Sequence, residues 1–368
     1  MMAAKGAMVK LETRALKYGY SNARARAMKG LLLPEAFLGE LIRVGTIEGM
    51  AELLQKTGYK NDLAAASVGY AGSALVEAAA ARNFAATVRK LIRLTPKSDQ
   101  AALKALLIRW DLTNLKTIMH AKRLKKSYED VRHYLFDVGG MDEDDFKRIM
   151  KADEGSIIRE IGRTEIGQKM LAIGTREMTK QSRESFSNAI RNLDTFMQME
   201  TIIDAYIYMF MGRALAQVGG SDVSYIRNVI RKEIDAKNVM IIERLKRHNV
   251  PKERIMGSLL KGGTLDEQMI AKILDAKDIP AVVAVVKTKF HKLELKTEKI
   301  SLTDLEIAFE KSIAAQKAVS FHRSILSLGV IVGFLLLKEE EINNIRKIAK
   351  GKEFKMPEDE VRDMLVIA

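Results

Sequence analysis

Asp111-Leu-Thr-Asn114-Leu-Lys-Thr-Ile118-Met-His-Ala-Lys122 is the first of three stretches that say nearly the same thing. The second runs Asp235-Ala-Lys-Asn238, then Val239, Ile242 and Lys246, and the third runs Glu341-Ile-Asn-Asn344, then Ile345, Ile348 and Lys352. Each continues with a matching tail: Ser127, Glu129 and Val131; Pro251, Glu253 and Ile255; Pro357, Asp359 and Val361. The first two copies end in glycine pairs, Gly139-Gly140 and Gly262-Gly263. A degenerate fourth copy surrounds Asn22, with Gly19 for the acid, Arg26 for an apolar residue and Gly30 for the lysine. Self-similarity over such periods marks a repeated architectural unit rather than one catalytic pocket.

The cassette parses as helix, turn, helix. Apolar residues one and four positions after each asparagine lay a single stripe on one helix face, which a core must cover. A short turn follows the lysine. A second helix then opens at Ser127, Pro251 or Pro357, since serine suits an N-cap and proline a first helical position. The glycine pairs read as closing that helix. A third helix reads as starting at Thr264, with Glu267 completing a capping box, and Asp142 and Asp145 hold similar places in the first copy. The acid and the asparagine share a helix face. Asparagine is a poor interior helix residue, so its recurrence predicts a structural hydrogen bond to a neighbouring helix. Asp111, Asn114, Lys122, Asp235, Asn238, Lys246, Glu341, Asn344 and Lys352 are therefore read as building residues.

The rest of the chain is consistent with helices throughout. Its 368 residues hold five prolines and are 47% hydrophobic, and they show almost no period-two alternation. Helical periods cover Leu63–Leu94, Gln100–Leu124, Thr164–Val218, Ser221–Arg247 and Leu302–Lys350, with breaks expected inside them. The longest apolar run, Ile325–Leu337, is shorter than the roughly 20 residues a membrane-spanning helix needs and reads as a buried core helix. No secretory signal opens the chain. The asparagine spacings of 92, 124 and 106 residues predict an all-α protein of three similar helical domains. Their expected limits are 1–110, 111–225 and 226–340, with 341–368 a partial fourth copy that packs on the first domain and closes a threefold arrangement.

No catalytic signature emerges. The chain lacks cysteine, which removes disulfides, thiolate metal sites and thiol nucleophiles. Its five histidines are scattered, and no P-loop, dinucleotide fingerprint, HExxH or GxSxG is present. The acidic run Asp142–Asp145 reads as a helix start, and Glu339-Glu340-Glu341 as a solvated helix face. No cofactor, metal, small-molecule substrate or nucleic acid is expected. The net charge of +14 favours an anionic partner surface. Arg24, Arg26 and Lys29, in a basic N-terminal segment, are candidate partner-facing residues.

Several blocks resemble one family. Tyr20-Ser-Asn22-Ala-Arg24 with Met28-Lys29, Arg109-Trp110-Asp111-Leu-Thr-Asn114, Ile234-Asp235-Ala-Lys-Asn238 and Leu337-Lys338-Glu339-Glu340-Glu341-Ile-Asn-Asn344 are similar to the C subunits of archaeal and vacuolar-type (A-type and V-type) ATP synthases, the counterparts of the d subunits of vacuolar ATPases. The resemblance spans nearly the whole chain and implies a funnel of three helical domains in pseudo-threefold order. It implies a non-catalytic central-stalk part, peripheral on the cytoplasmic face of the membrane. Such a part seats on the rotor-ring proteolipids, receives the foot of the central shaft and transmits torque for proton or sodium transport. Two other classes fit the residues alone. A basic helical-repeat scaffold binding nucleic acid predicts affinity falling steeply with salt. An enzyme with an unfamiliar helical site predicts a deep pocket with shifted titratable groups.

Overall fold

The computed structural model describes residues 2–153, 156–168, 204, 207–213, 215–216, 222–290, 293, 295, 300–323 and 325–367. Among them the protein is all-α. The expected helix over Thr164–Val218 and the glycines Gly219-Gly220 lie mostly or wholly outside the described residues.

The first group of helices comprises α1 (Met2–Lys29), α2 (Glu35–Arg43), α3 (Ile47–Leu54), α4 (Lys60–Ala66) and α5 (Gly72–Leu94). The first cassette then spans α6 (Gln100–Arg123), α7 (Tyr128–Val131) and α8 (Glu143–Lys151), followed by α9 (Ile157–Arg163). The second spans α10 (Asp222–Arg247), α11 (Lys252–Gly257) and α12 (Glu267–Asp275), followed by α13 (Ile279–Val286). The third comprises α14 (Leu302–Arg323), α15 (Leu328–Glu353) and α16 (Glu358–Met364). The expected limits at 110/111, 225/226 and 340/341 each fall inside a continuous helix, respectively α6, α10 and α15.

The apolar stripes are fully buried: Leu115, Ile118, Val239, Ile242, Ile345 and Ile348 are all 0% exposed. Each long helix ends in the same turn. Lys126 N donates to Ala121 O, Val250 N to Leu245 O and Met356 N to Gly351 O, and inside each lies a second bond, from Lys125, Asn249 or Lys355 to the carbonyl three residues earlier. This nested pair is a Schellman stop, and it needs a left-handed residue just past the helix. Lys125, Asn249 and Lys355 supply it, at φ of 53°, 53° and 54°. None is glycine, so no glycine in the sequence advertised the turn.

The short helices begin one residue later than expected, with Pro251 and Pro357 at the N-cap. Ser127 caps α7 through a full capping box, as Asp142 and Asp145 do for α8. The third helix of the second copy starts at Glu267 instead of Thr264, because Asp266 is its N-cap and Thr264 is bound elsewhere. Ile325–Leu337 is not helical from its first residue: Leu326 turns left-handed at φ 47°, Ser327 caps, and α15 is buried from Leu328 onward.

Candidate functional site

The cassette residues act on backbone, not on ligands. Each asparagine clamps both polar groups of a single residue. Asn114 Nδ2 donates to Phe136 O at 2.7 Å and Phe136 N donates to Asn114 Oδ1 at 2.8 Å. Asn238 holds Leu260 in the same way at 2.9 and 2.7 Å, and Asn344 holds Val366 at 2.6 and 2.9 Å. The target is an extended segment 22 residues downstream rather than a helix. A side-chain amide presents one donor and one acceptor, which match a free backbone N–H and C=O as a paired strand would. Helix interiors have none to offer.

Each acid holds the start of the helix beyond. Asp111 accepts from Gly140 N and Met141 N at 2.7 and 3.0 Å, and Asp235 from Thr264 N and Leu265 N at 2.6 and 3.0 Å. The glycine pairs therefore do not close the short helix; they admit the carboxylate. A Cβ on Gly139 would lie 2.1 Å from Asp111 Oδ1, and one on Gly263 2.2 Å from Asp235 Oδ1. Each lysine caps the far end of that same helix: Lys122 Nζ donates to Met150 O and Ala152 O, and Lys246 Nζ to Ile273 O and Ala276 O.

The third copy takes its last helix from the other end of the chain. Glu341 Oε2 accepts from Leu33 N at 2.5 Å, and Lys352 Nζ donates to Ile42 O and Val44 O. Thus α2 stands to α15 as α8 stands to α6 and α12 to α10. Leu32, not a glycine, directly precedes Leu33, and the acid here is the longer glutamate, which also accepts from Tyr59 Oη at 2.6 Å. Asn22 repeats the two-bond clamp on a distant segment, Ser327, at 3.0 and 2.8 Å. Residues from the two ends of the chain are stitched at both places.

A second face of the three long helices is turned away from these anchors. Five positions before each asparagine stand Arg109, Glu233 and Glu339, and these three meet. Arg109 lies 3.0 Å from Glu233 and 3.6 Å from Glu339, while Lys317 of α14 lies 3.4 Å from Glu233 and 2.6 Å from Glu340. The Glu339–Glu341 run is therefore not a solvated face: Lys338, Glu339 and Glu341 are buried, because they sit where helices converge. Burial pulls Lys317 down, but Glu340 and Glu233 outweigh it and hold its pKa above the ordinary range. Burial pushes Glu233 up, and Arg109 with Lys317 reverses this to a net depression. For Glu339, burial wins and its pKa is raised.

From that cluster the same faces line a cavity of about 1080 Å³. Its walls include Lys116, Lys237, Arg244, Arg346 and Lys350, two to six residues past or one before each asparagine, together with Asp204, Glu77 and Glu310. Exposure rises along each helix. On α10 the side chains go from 9% at Glu233 through 36% at Lys237 to 50% at Arg244, and on α15 from 12% at Glu339 to 31% at Lys350. The cavity has a buried floor at the Arg109 cluster and a mouth toward the C-terminal ends of the helices. Wall charges are paired: Asp204 with Lys116 and Lys237, Arg244 with Glu306, Lys347 with Glu310, and Glu77 with Arg346 and Lys350.

The sequence does not mark this face, because its residues differ from copy to copy while the anchors repeat. Arg24 and Arg26 are exposed on α1, with Arg26 over the Phe321 ring at 5.3 Å, and Lys29 is half-buried. None of these three lines the cavity.

These features define an all-helical repeat protein that encloses a charged cavity. Among the described residues no group of three or more His, Asp or Glu could hold a metal, and no helix is long and apolar enough to cross a membrane. The profile of the ATP synthase (C/AC39) subunit family matches residues 21–364, and the chain belongs to that family. It is 27% identical to the C subunit of an A-type ATP synthase of Methanosarcina mazei over 355 residues, covering 95% of this chain and 93% of the relative. The corresponding protein of Archaeoglobus fulgidus is 24% identical (95% and 96% covered). The C subunit of a V-type ATP synthase of Deinococcus radiodurans is 23% identical (94% and 90% covered). The chain is an accessory, non-catalytic part of an ATP synthase complex.

Proposed function

We propose that this protein is the socket of a rotary ATP synthase's central stalk, linking the membrane rotor ring to the central shaft and passing torque for proton or sodium transport. In this reading it is peripheral at the cytoplasmic face, and three repeat units surround the cavity, the third closed by the chain's own N-terminal residues. The observation that carries the reading is the cavity itself, built from equivalent faces of the three cassette helices. A helix about 10 Å across rises 5.4 Å per turn and so occupies about 420 Å³ per turn. The cavity would admit the last two or three turns of such an element. Its anchors are bonds to backbone, which suit a part that must stay stiff while loaded.

Purification of the intact complex from membranes tests the reading. The protein should co-purify with ring and shaft subunits, and a bulky substitution at a partly exposed cavity residue such as Ile241→Trp should release the shaft while the fold persists. Retention of the shaft by a chain whose cavity is filled would overturn it.

A further inference from the structure

We infer that the cavity floor is built to receive a cationic side chain, an arginine or lysine at the tip of the inserted protein segment, on Glu233 and Glu339. This rests on the socket reading and names the chemistry of its occupant. The floor holds three carboxylates, Glu233, Glu339 and Glu340, against two cations, Arg109 and Lys317. Along the walls and mouth, by contrast, each carboxylate has a cation of its own. Two buried floor oxygens, Glu233 Oε2 and Glu339 Oε2, have no hydrogen-bond partner; both oxygens of Glu77 on the wall share that state, but there Arg346 and Lys350 stand opposite at 3.5 and 3.3 Å, two cations to one carboxylate. Buried carboxylate oxygens are costly when left unmatched.

Glu339 is the open member. Its nearest partner, Arg109, stands 3.6 Å away, beyond hydrogen-bond length, whereas Arg109 reaches Glu233 at 3.0 Å. The terminal torsion of glutamate is soft, so the carboxylate turns toward an incoming donor at little cost. A guanidinium or ammonium entering from the mouth would bring the third positive charge and the missing donors together. Tyr208, buried beside the cluster, offers a phenolic wall to such a group. An acidic or apolar tip would add a fourth carboxylate or leave both oxygens unmet.

The test measures binding of the recombinant shaft assembly to the immobilised full-length chain. Wild type is compared with Glu339→Gln and with a control outside the cavity, the exposed Asp137→Asn. Each Arg and Lys in the shaft's terminal segments is also changed to Ala. Losing one partner of a buried charge pair costs affinity steeply, so Glu339→Gln is expected to weaken binding at least tenfold and Asp137→Asn not at all. One shaft Arg or Lys should show a similar loss on wild type and little further loss on Glu339→Gln. If wild type does not bind, the socket reading itself falls. If wild type binds but Glu339→Gln binds equally and no basic residue is coupled to it, the cationic tip is wrong and the socket stands. Should Glu339→Gln not fold, the shaft scan on wild type decides: absence of any tenfold-sensitive Arg or Lys overturns the inference.

Discussion

At the scale of residues, the repeated asparagine is a local substitute for secondary structure. Asn238 satisfies both backbone groups of Leu260, neither of which has a helix to join. Asn238→Ala strands a buried N–H and C=O together and is expected to cost about 2–4 kcal/mol, seen as a lowered urea midpoint with unchanged slope. Asn238→Asp keeps the acceptor but loses the donor, and should not rescue it. Lys355 behaves oppositely. Its left-handed backbone, at φ 54°, strains any residue with a Cβ, so Lys355→Gly is expected to stabilise by up to about 1 kcal/mol despite glycine's unfolded-state entropy. A melting temperature below wild type would refute that. The asparagines were legible as building residues because polar residues inside a helix need a reason. Their target was not legible, since nothing in a helical period marks Phe136, Leu260 or Val366 as the residue to be held.

Among elements, the long helices were readable, and their starts and stops came within a few residues, because apolar periodicity and caps are local signals. What escaped was the exchange between chain ends, which depends on packing across more than 300 residues. The contacts between the two ends are particular. Lys352 supplies the C-terminal cap of α2, and Glu341 its N-terminal anchor at Leu33. Lys352 also keeps its pKa below the ordinary range through burial, which Glu358 only partly offsets. Lys352→Met removes a charge-assisted tie to two carbonyls and should loosen α2 by about 1–3 kcal/mol. Hydrogen exchange checks this: amides of residues 38–44 should lose protection at least tenfold while those of α8 and α12 stay as in wild type. Uniform loss in all three helices would show global destabilisation instead.

For the whole molecule, the cavity floor sets stability against docking. Burial raises the pKa of Glu339, so the folded chain holds a proton there more tightly than the unfolded chain does. Such a group contributes its stability below the unfolded carboxylate pKa, and that contribution is lost as pH rises through the higher folded value. Above that folded value the isolated protein carries an ionised glutamate it would fold better without. Glu339→Gln keeps the shape and removes the charge, leaving Arg109 paired with Glu233. The variant alone is expected to melt at or above the wild-type temperature at pH 7, with the difference closing as pH falls toward 4. Arg109→Met has the contrary sign, because it leaves Glu233 and Glu339 together without their shared cation; a loss of about 3–5 kcal/mol is expected. Thermal melts of both variants between pH 4 and 8 decide the matter. If Glu339→Gln melts well below wild type at pH 7, Glu339 is part of the frame that holds the long helices together, and the floor is not a site left open for a partner's charge.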